Sequence, residues 1–371
     1  MYPEMMAIDN PDLAGGLKPW SYRKHARLNR TSAKSAQHLW ACHCLLLCAF
    51  FCLATAALLN GKAEAADTIR VTVQKTGTFG WELAIVTERG LAKEAGLEVA
   101  VTEVASPEAA KITLMGGSAD LILSDWLWVA RQRNLGGRLV FFPYSTAVGA
   151  LMVPAASPIQ NLAGLKGQKI AVAGGPLDKS WLLLQALAKQ SGQDLAKEAS
   201  IIYGAPALLY QKTLSGEADA TLNYWNFCVA LEARGYRRLL GMDEVERRLG
   251  AKGPVAMVGY VFSEEFTQNH APVLTRFFEA AAKAKEILVQ SGTDWEKIGQ
   301  RIGVTEKAEL ALYRQTYIDG IPRRSVAQEA ADARELYRIL TKIAGPDIIG
   351  NAAELDEGTF YQPVEAVPNE P

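Results

Sequence analysis

Residues 157–190, SPIQNLAGLKGQKIAVAGGPLDKSWLLLQALAKQ, decide how the rest of the chain is read. Residues 162–167 read as a short, turn-rich helix and Lys169–Ala173 as a buried strand, a brief apolar run bounded by turn signals. Gly174-Gly175-Pro176 breaks the strand, and the spacing predicts a helix over about 178–190. Strand, glycine turn and helix start in immediate succession turn backbone N–H groups and the positive end of a helix toward one spot. Such a spot holds a polar group without a catalytic side chain. Lys179-Ser180 imitates the end of a phosphate-binding loop, but the turn lacks the G-x-x-x-x-G-K-[ST] spacing.

Upstream, strand-like segments at 69–73, 97–101, 119–123 and 138–142 alternate with helical ones at 81–93, 109–115 and 126–133. This alternation predicts parallel sheets with crossover helices, an α/β fold. Near residue 150 the pattern restarts. Thr113-Leu114-x-Gly116, Ala119-Asp120, Leu123 and Trp126 recur as Thr213-Leu214-x-Gly216, Ala218-Asp219, Leu222 and Trp225, one residue shorter in the middle. Trp81 has Trp181 as its counterpart, and Leu91-Ala92-Lys93-Glu94-Ala95 recurs as Leu195-Ala196-Lys197-Glu198-Ala199. Matches in order at a nearly constant offset mark a duplicated lobe rather than a short-period repeat array. The apolar, glycine-containing segments 149–153 and 255–261 bracket the second round as crossovers. Helical patterns follow at 272–290, 293–302, 306–317 and 325–342, and a Gly/Pro/Asp/Glu-rich tail from 345 is expected to wrap the surface or to be mobile.

Ser157-Pro158-Ile159, Leu162, Leu165-Lys166-Gly167 and Lys169-Ile170-Ala171-Val172 resemble the S-P-I-x-x-L-x-x-L-K-G-K-K-I-A-V segment of periplasmic solute-binding proteins of ABC importers. The similarity is to the nitrate/sulfonate/taurine branch, which includes binders of thiamine-precursor pyrimidines, and it runs over roughly 68–286. The resemblance implies a two-lobed, type II Venus-flytrap fold with a ligand cleft between pseudo-symmetric lobes. The first lobe is then 66–148 plus 261–344, the second 149–260, and the tail 345–371. It also implies a monomer, without a cofactor, that captures a small solute by lobe closure and delivers it to an inner-membrane permease.

The first 65 residues differ from the rest. Arg23, Lys24, Arg27, Arg30 and Lys34 precede an apolar run over 39–59, and Ala63-Glu64-Ala65 offers an A-x-A site. These are the three parts of a secretory signal, so residues 1–65 are expected to be removed and the protein to be periplasmic. An uncleaved anchor is the rival reading, because 40–59 could just span a bilayer. His43, Thr55 and four cysteines within that run weigh against it. Beyond residue 65 only Cys228 and His270 remain of their kinds, so no internal disulfide, His/Cys zinc site or Cys–His pair can be built there. Acidic and basic side chains nearly balance over the whole chain, and no basic excess points to nucleic acid.

In α/β sheets ligands sit beyond the carboxyl ends of strands. The loops that meet this rule carry Thr78, Phe79 and Trp81; Ser124, Asp125 and Trp126; Gly174, Gly175, Asp178, Ser180 and Trp181; and Asn223, Tyr224 and Trp225, with Tyr144-Ser145 and Tyr260 on the hinge side. The alternative is that the indoles are core and the polar residues cap helices, and Ser124, Asp125 and Asp178 suit N-caps equally well. Carboxylates beside the site would repel sulfonate or nitrate and suit ring N–H or ammonium groups, and indoles favour flat or cationic ligands. A flat or nitrogen-bearing organic ligand is therefore expected in preference to a simple anion. Two other classes compete: an enzyme of pyrimidine-precursor-synthase type on the same fold, which relies on histidine and cysteine, and a two-lobed ligand sensor.

Overall fold

The computed structural model describes residues 66–344 and 352–363. The expected signal segment, 1–65, and the remainder of the tail lie outside the described residues. The first sheet draws on β1 (Asp67–Gln74), β2 (Leu97–Val104), β3 (Leu121–Asp125) and β4 (Leu139–Ser145). Between them run α1 (Phe79–Glu88), α2 (Leu91–Glu94), α3 (Pro107–Met115) and α4 (Trp126–Asn134). The helix expected over 81–93 is thus two, broken at Gly90, whose φ of 74° is left-handed.

The second round repeats the plan. β5 (Gly149–Pro154) is followed by β6 (Lys169–Ala173), α5 (Lys179–Gln190), α6 (Leu195–Glu198), β7 (Ser200–Gly204) and α7 (Pro206–Leu214). Then come β8 (Ala220–Tyr224), α8 (Trp225–Glu232), β9 (Tyr236–Gly241) and α9 (Met242–Arg248). β10 (Val258–Ser263) leads into α10 (Glu264–Gln290), α11 (Gly292–Ile302), α12 (Lys307–Asp319) and α13 (Val326–Ala344). α10 is kinked at His270, two residues before Pro272.

The sheets have matching orders, β2-β1-β3-β10-β4 and β7-β6-β8-β5-β9. In each, the first three strands are parallel and the fourth is antiparallel to both neighbours. That fourth strand is the one arriving from the other lobe. The two segments expected as crossovers therefore end as paired strands, and β10 joins the first sheet from Val258 onward. The duplicated Ala-Asp pair has a structural cause. Asp120 Oδ2 accepts the Arg70 backbone N–H at 2.8 Å, and Asp219 Oδ2 accepts that of Lys169 at 2.8 Å, each tying the third strand to the first.

The C-terminal helices, expected to return to the first lobe, pack on both. α12 packs against α8, and α13 packs against α5, sharing an apolar core with Trp126, Trp181 and Leu182. The last crossover is pinned by two buried carboxylates. Glu246 is buried beside the Val255 N–H, Glu329 accepts the Ala256 N–H at 2.9 Å, and Arg324 holds Glu329 and the Pro254 carbonyl. Of the tail, residues 352–363 wrap the edge of the first sheet. Phe360 bridges Phe141 in parallel, and the Tyr361 N–H donates to the Phe141 carbonyl at 2.8 Å.

Candidate ligand-binding site

The carboxyl ends of β1, β3, β6 and β8 converge on a cavity of about 110 Å³ between the lobes. From the first lobe it is bordered by Gln74, Thr78, Phe79, Ser124, Asp125 and Tyr144; from the second, by Asp178, Lys179, Tyr224, Trp225 and Asn226. Two hydrogen bonds close the lobes over it. Asn226 Nδ2 donates to the Thr76 carbonyl at 3.1 Å, and Arg131 Nη2 donates to the Leu177 carbonyl at 3.1 Å.

The two carboxylates at the site are N-caps. Asp125 Oδ1 accepts the Trp128 N–H at 2.8 Å at the start of α4, and Asp178 Oδ1 accepts the Ser180 N–H at 2.9 Å at the start of α5. Asp178 Oδ2 also accepts the Tyr224 hydroxyl at 2.9 Å and lies 3.7 Å from Lys179 Nζ. The Lys179 ammonium sits 4.3 Å above the centre of the Tyr224 ring and is buried. Burial, then the Asp178 charge, push the Tyr224 hydroxyl well above its ordinary pKa, so it stays a donor. Burial lowers the Arg131 pKa, against the pull of both carboxylates.

Three buried polar atoms on residues lining the cavity, Ser124 Oγ, Gln74 Nε2 and the Tyr144 hydroxyl, find no hydrogen-bond partner among the described residues. Buried polar groups are nearly always paired, so these atoms are free to meet a solute or a water. With Lys179 they make the wall rich in donors.

Of the residues expected from sequence, Thr78, Phe79, Ser124, Asp125, Tyr144, Ser145, Asp178, Tyr224 and Trp225 border the cavity. The other eight do not. Trp126 and Trp181 are completely buried in the core beneath the strand ends. Trp81 packs edge-on against Trp225 at 5.7 Å and against Trp295 at 5.8 Å. Of the four indoles expected at the site, Trp225 alone borders the cavity, and it also meets Trp81. Asn223 supports the site from behind, with Nδ2 on the Pro206 carbonyl and Oδ1 accepting the Tyr224 N–H. Gly174 spends its N–H on the Gly204 carbonyl, and a Cβ there would stand 3.0 Å from Asp178 Oδ2. Its φ of 83° and that close approach account for the glycine without a ligand, and Gly175 is likewise in the turn but off the cavity wall. Ser180 is buried behind the cap, and Tyr260 bonds Glu82 one layer back.

Gln74, Lys111, Lys179 and Asn226 border the cavity without having been singled out. Lys179 could have been found as the residue after an N-cap aspartate on a cleft-facing helix, and Gln74 as the last residue of its strand. His270 lies in a surface groove, and Cys228 is buried among backbone carbonyls with its pKa pushed by burial to about 12.

Two α/β lobes closing on a polar cavity at their strand ends define a two-lobed binding fold. The sequence model of the family described as NMT1/THI5 like matches residues 83–292, and the chain belongs to that family. Solved structures share the fold. The alkanesulfonate-binding protein SsuA from Xanthomonas axonopodis pv. citri, bound to MOPS, is 19% identical, with a TM-score of 0.64 over 81% of this chain and 99% of that one. The periplasmic aliphatic sulphonate binding protein SsuA from Escherichia coli is 18% identical, with a TM-score of 0.62 over 80% and 93%. The desulfurization enzyme DSZB is more distant, at 15% identity and a TM-score of 0.51 over 75% and 92%. No curated protein matches the sequence.

Proposed function

We propose that the protein is the periplasmic solute-binding component of an ABC importer, exported by residues 1–65, and that it closes on a small organic anion for delivery to a permease. The observation that carries this reading is the donor-rich cavity wall, with Ser124 Oγ and Gln74 Nε2 unpaired and Lys179 beside them. Asp125 and Asp178, which turned the sequence reading toward nitrogen-bearing ligands, are engaged by helix N–H groups, and the Tyr224 hydroxyl. Both oxygens of Asp178 are used in this way, and one of the two of Asp125. Phe79 and Trp225 supply an apolar wall for the body of the solute. The solved sulfonate-binding proteins on this fold agree with that chemistry. A binding role is favoured over an enzymatic one because His270 and Cys228 both stand away from the cavity. Native mass spectrometry of the exported protein should reveal a bound acid of low mass. Titration calorimetry should then show binding of ethanesulfonate and none of ethylammonium. Preference for the ammonium ion would overturn the anion reading.

A further inference from the structure

Behind the ligand cavity lies a buried charged group that this function has not used. Glu82, in α1, is fully buried and its carboxylate is saturated. Oε1 accepts the Tyr260 hydroxyl at 2.5 Å, and Oε2 accepts Lys285 Nζ and the Tyr317 hydroxyl. Lys285, from α10, also donates to the Tyr260 hydroxyl at 2.8 Å, and its ammonium stands 4.2 Å above the centre of the Tyr144 ring. Two of its three N–H bonds are thereby placed.

Beside the ammonium is a void of about 10 Å³. Lys285 and Tyr317 border it, and so do Thr78, Tyr144, Ser145 and Trp225, which border the ligand cavity as well. Glu82 does not border it, so the ion pair turns its positive end toward the ligand. The Tyr144 hydroxyl is buried near those of Thr78 and Tyr317, in hydrogen-bond geometry with neither. A void of this size accommodates one water, provided polar partners surround it, as they do here. A buried ion pair is weak as a source of stability, since desolvation offsets most of the Coulomb attraction. Its place against the ligand cavity gives it a further use.

Building on the cavity as the ligand site, we propose that one ordered water fills this void, bonded to Lys285 Nζ and the Tyr144 hydroxyl. Through that water Lys285 favours a ligand whose negatively charged, acceptor-rich end points toward the hinge. Lys285 is thus a positioning residue that never touches the solute. Water-mediated bonds of this kind approach direct ones in strength.

A crystal structure of the wild type that resolves waters should show one within hydrogen-bond distance of Lys285 Nζ, and an empty void there overturns the proposal. The selectivity is tested with the neutralised pair Glu82→Gln/Lys285→Met, which strands no charge. The ratio of affinities for ethanesulfonate over neutral ethyl methyl sulfone should fall at least tenfold relative to the wild type. A merely structural role would weaken both probes alike, and an unchanged ratio in folded protein overturns the idea. Should the double variant fail to fold, Tyr144→Phe removes only the hydroxyl and should lower the same ratio severalfold; no change there counts equally against it. A wild type that already prefers the sulfone defeats the anion reading itself, before any substitution is made.

Discussion

Ser124 and Asp125, adjacent at the end of β3, divide two tasks that one residue type could serve. Asp125 closes the helix that follows, while the Ser124 hydroxyl stays unpaired at the cavity. Ser124→Ala should therefore weaken ethanesulfonate binding up to about tenfold, the equivalent of one hydrogen bond, with the melting temperature nearly unchanged. Asp125→Ala should cost about 1 kcal/mol of stability, measured by urea denaturation. Glu246 offers a pH test. Burial, with Asp243 and Glu329 nearby, pushes its pKa from 4.5 to about 8, against the Val255 N–H. The folded state then binds a proton that the unfolded state has released. The stability this gives is complete below the unfolded value of 4.5 and is lost as pH rises to about 8, at roughly 1.4 kcal/mol per pH unit. Denaturation at pH 5 and pH 8 should show Glu246→Gln losing less over that span than the wild type; parallel losses would refute the assignment. At this scale the sequence was least legible. Capping and ligand contact call for the same residues, so Asp125 and Asp178 could not be sorted until their N–H partners were known. Lys179, next to Ser180, resembles the end of a phosphate loop, which masks its place on the cavity wall. An indole reads the same whether it lines a cleft or fills a core, and Trp126 and Trp181 fill the core.

Elements were far more legible than residues, because periodicity and turn chemistry act locally. Lys169–Ala173 was placed to the residue, and the helix after it began at its capping aspartate. What local pattern could not reveal was pairing. Val258 bonds across to Asp125 and Ser145, more than a hundred residues back, and nothing near it in sequence announces either partner. The edge of the first sheet was hidden for the same reason. Residues 352–363 cover β4, with Phe360 against Phe141 at 5.1 Å and Tyr361 against Phe262 at 5.3 Å. An uncovered edge strand invites pairing with other chains. Phe360→Ala should cost about 3 kcal/mol of folding stability by denaturation and should raise light scattering on mild heating. Unaltered stability would mean the strap is ornamental.

Across the whole molecule, both lobes share their cores through the C-terminal helices. Trp225 of the second lobe meets Trp81 of the first, and Tyr313 of α12 lies 6.0 Å from Trp81 and 6.2 Å from Trp225. Trp225→Ala should thus lower both stability and ethanesulfonate affinity, since this ring also borders the cavity. Trp126→Ala should cost about 3–5 kcal/mol of folding free energy and leave affinity in the folded fraction intact. Calorimetry beside denaturation separates the two outcomes, and equal behaviour of the variants would contradict this placement. The exchanged fourth strands carry a consequence for synthesis. β5 precedes β8 and β9, so the second sheet can assemble as its strands appear in order. β10 separates β3 from β4, which do not bond each other, so the first sheet remains in two parts until Val258–Ser263 has been made. The lobe encoded first is therefore the one completed last: β1, β2 and β3 can pair among themselves, but one edge of β3 and the strand β4 wait, exposed and aggregation-prone, for a partner from the far side of the other lobe.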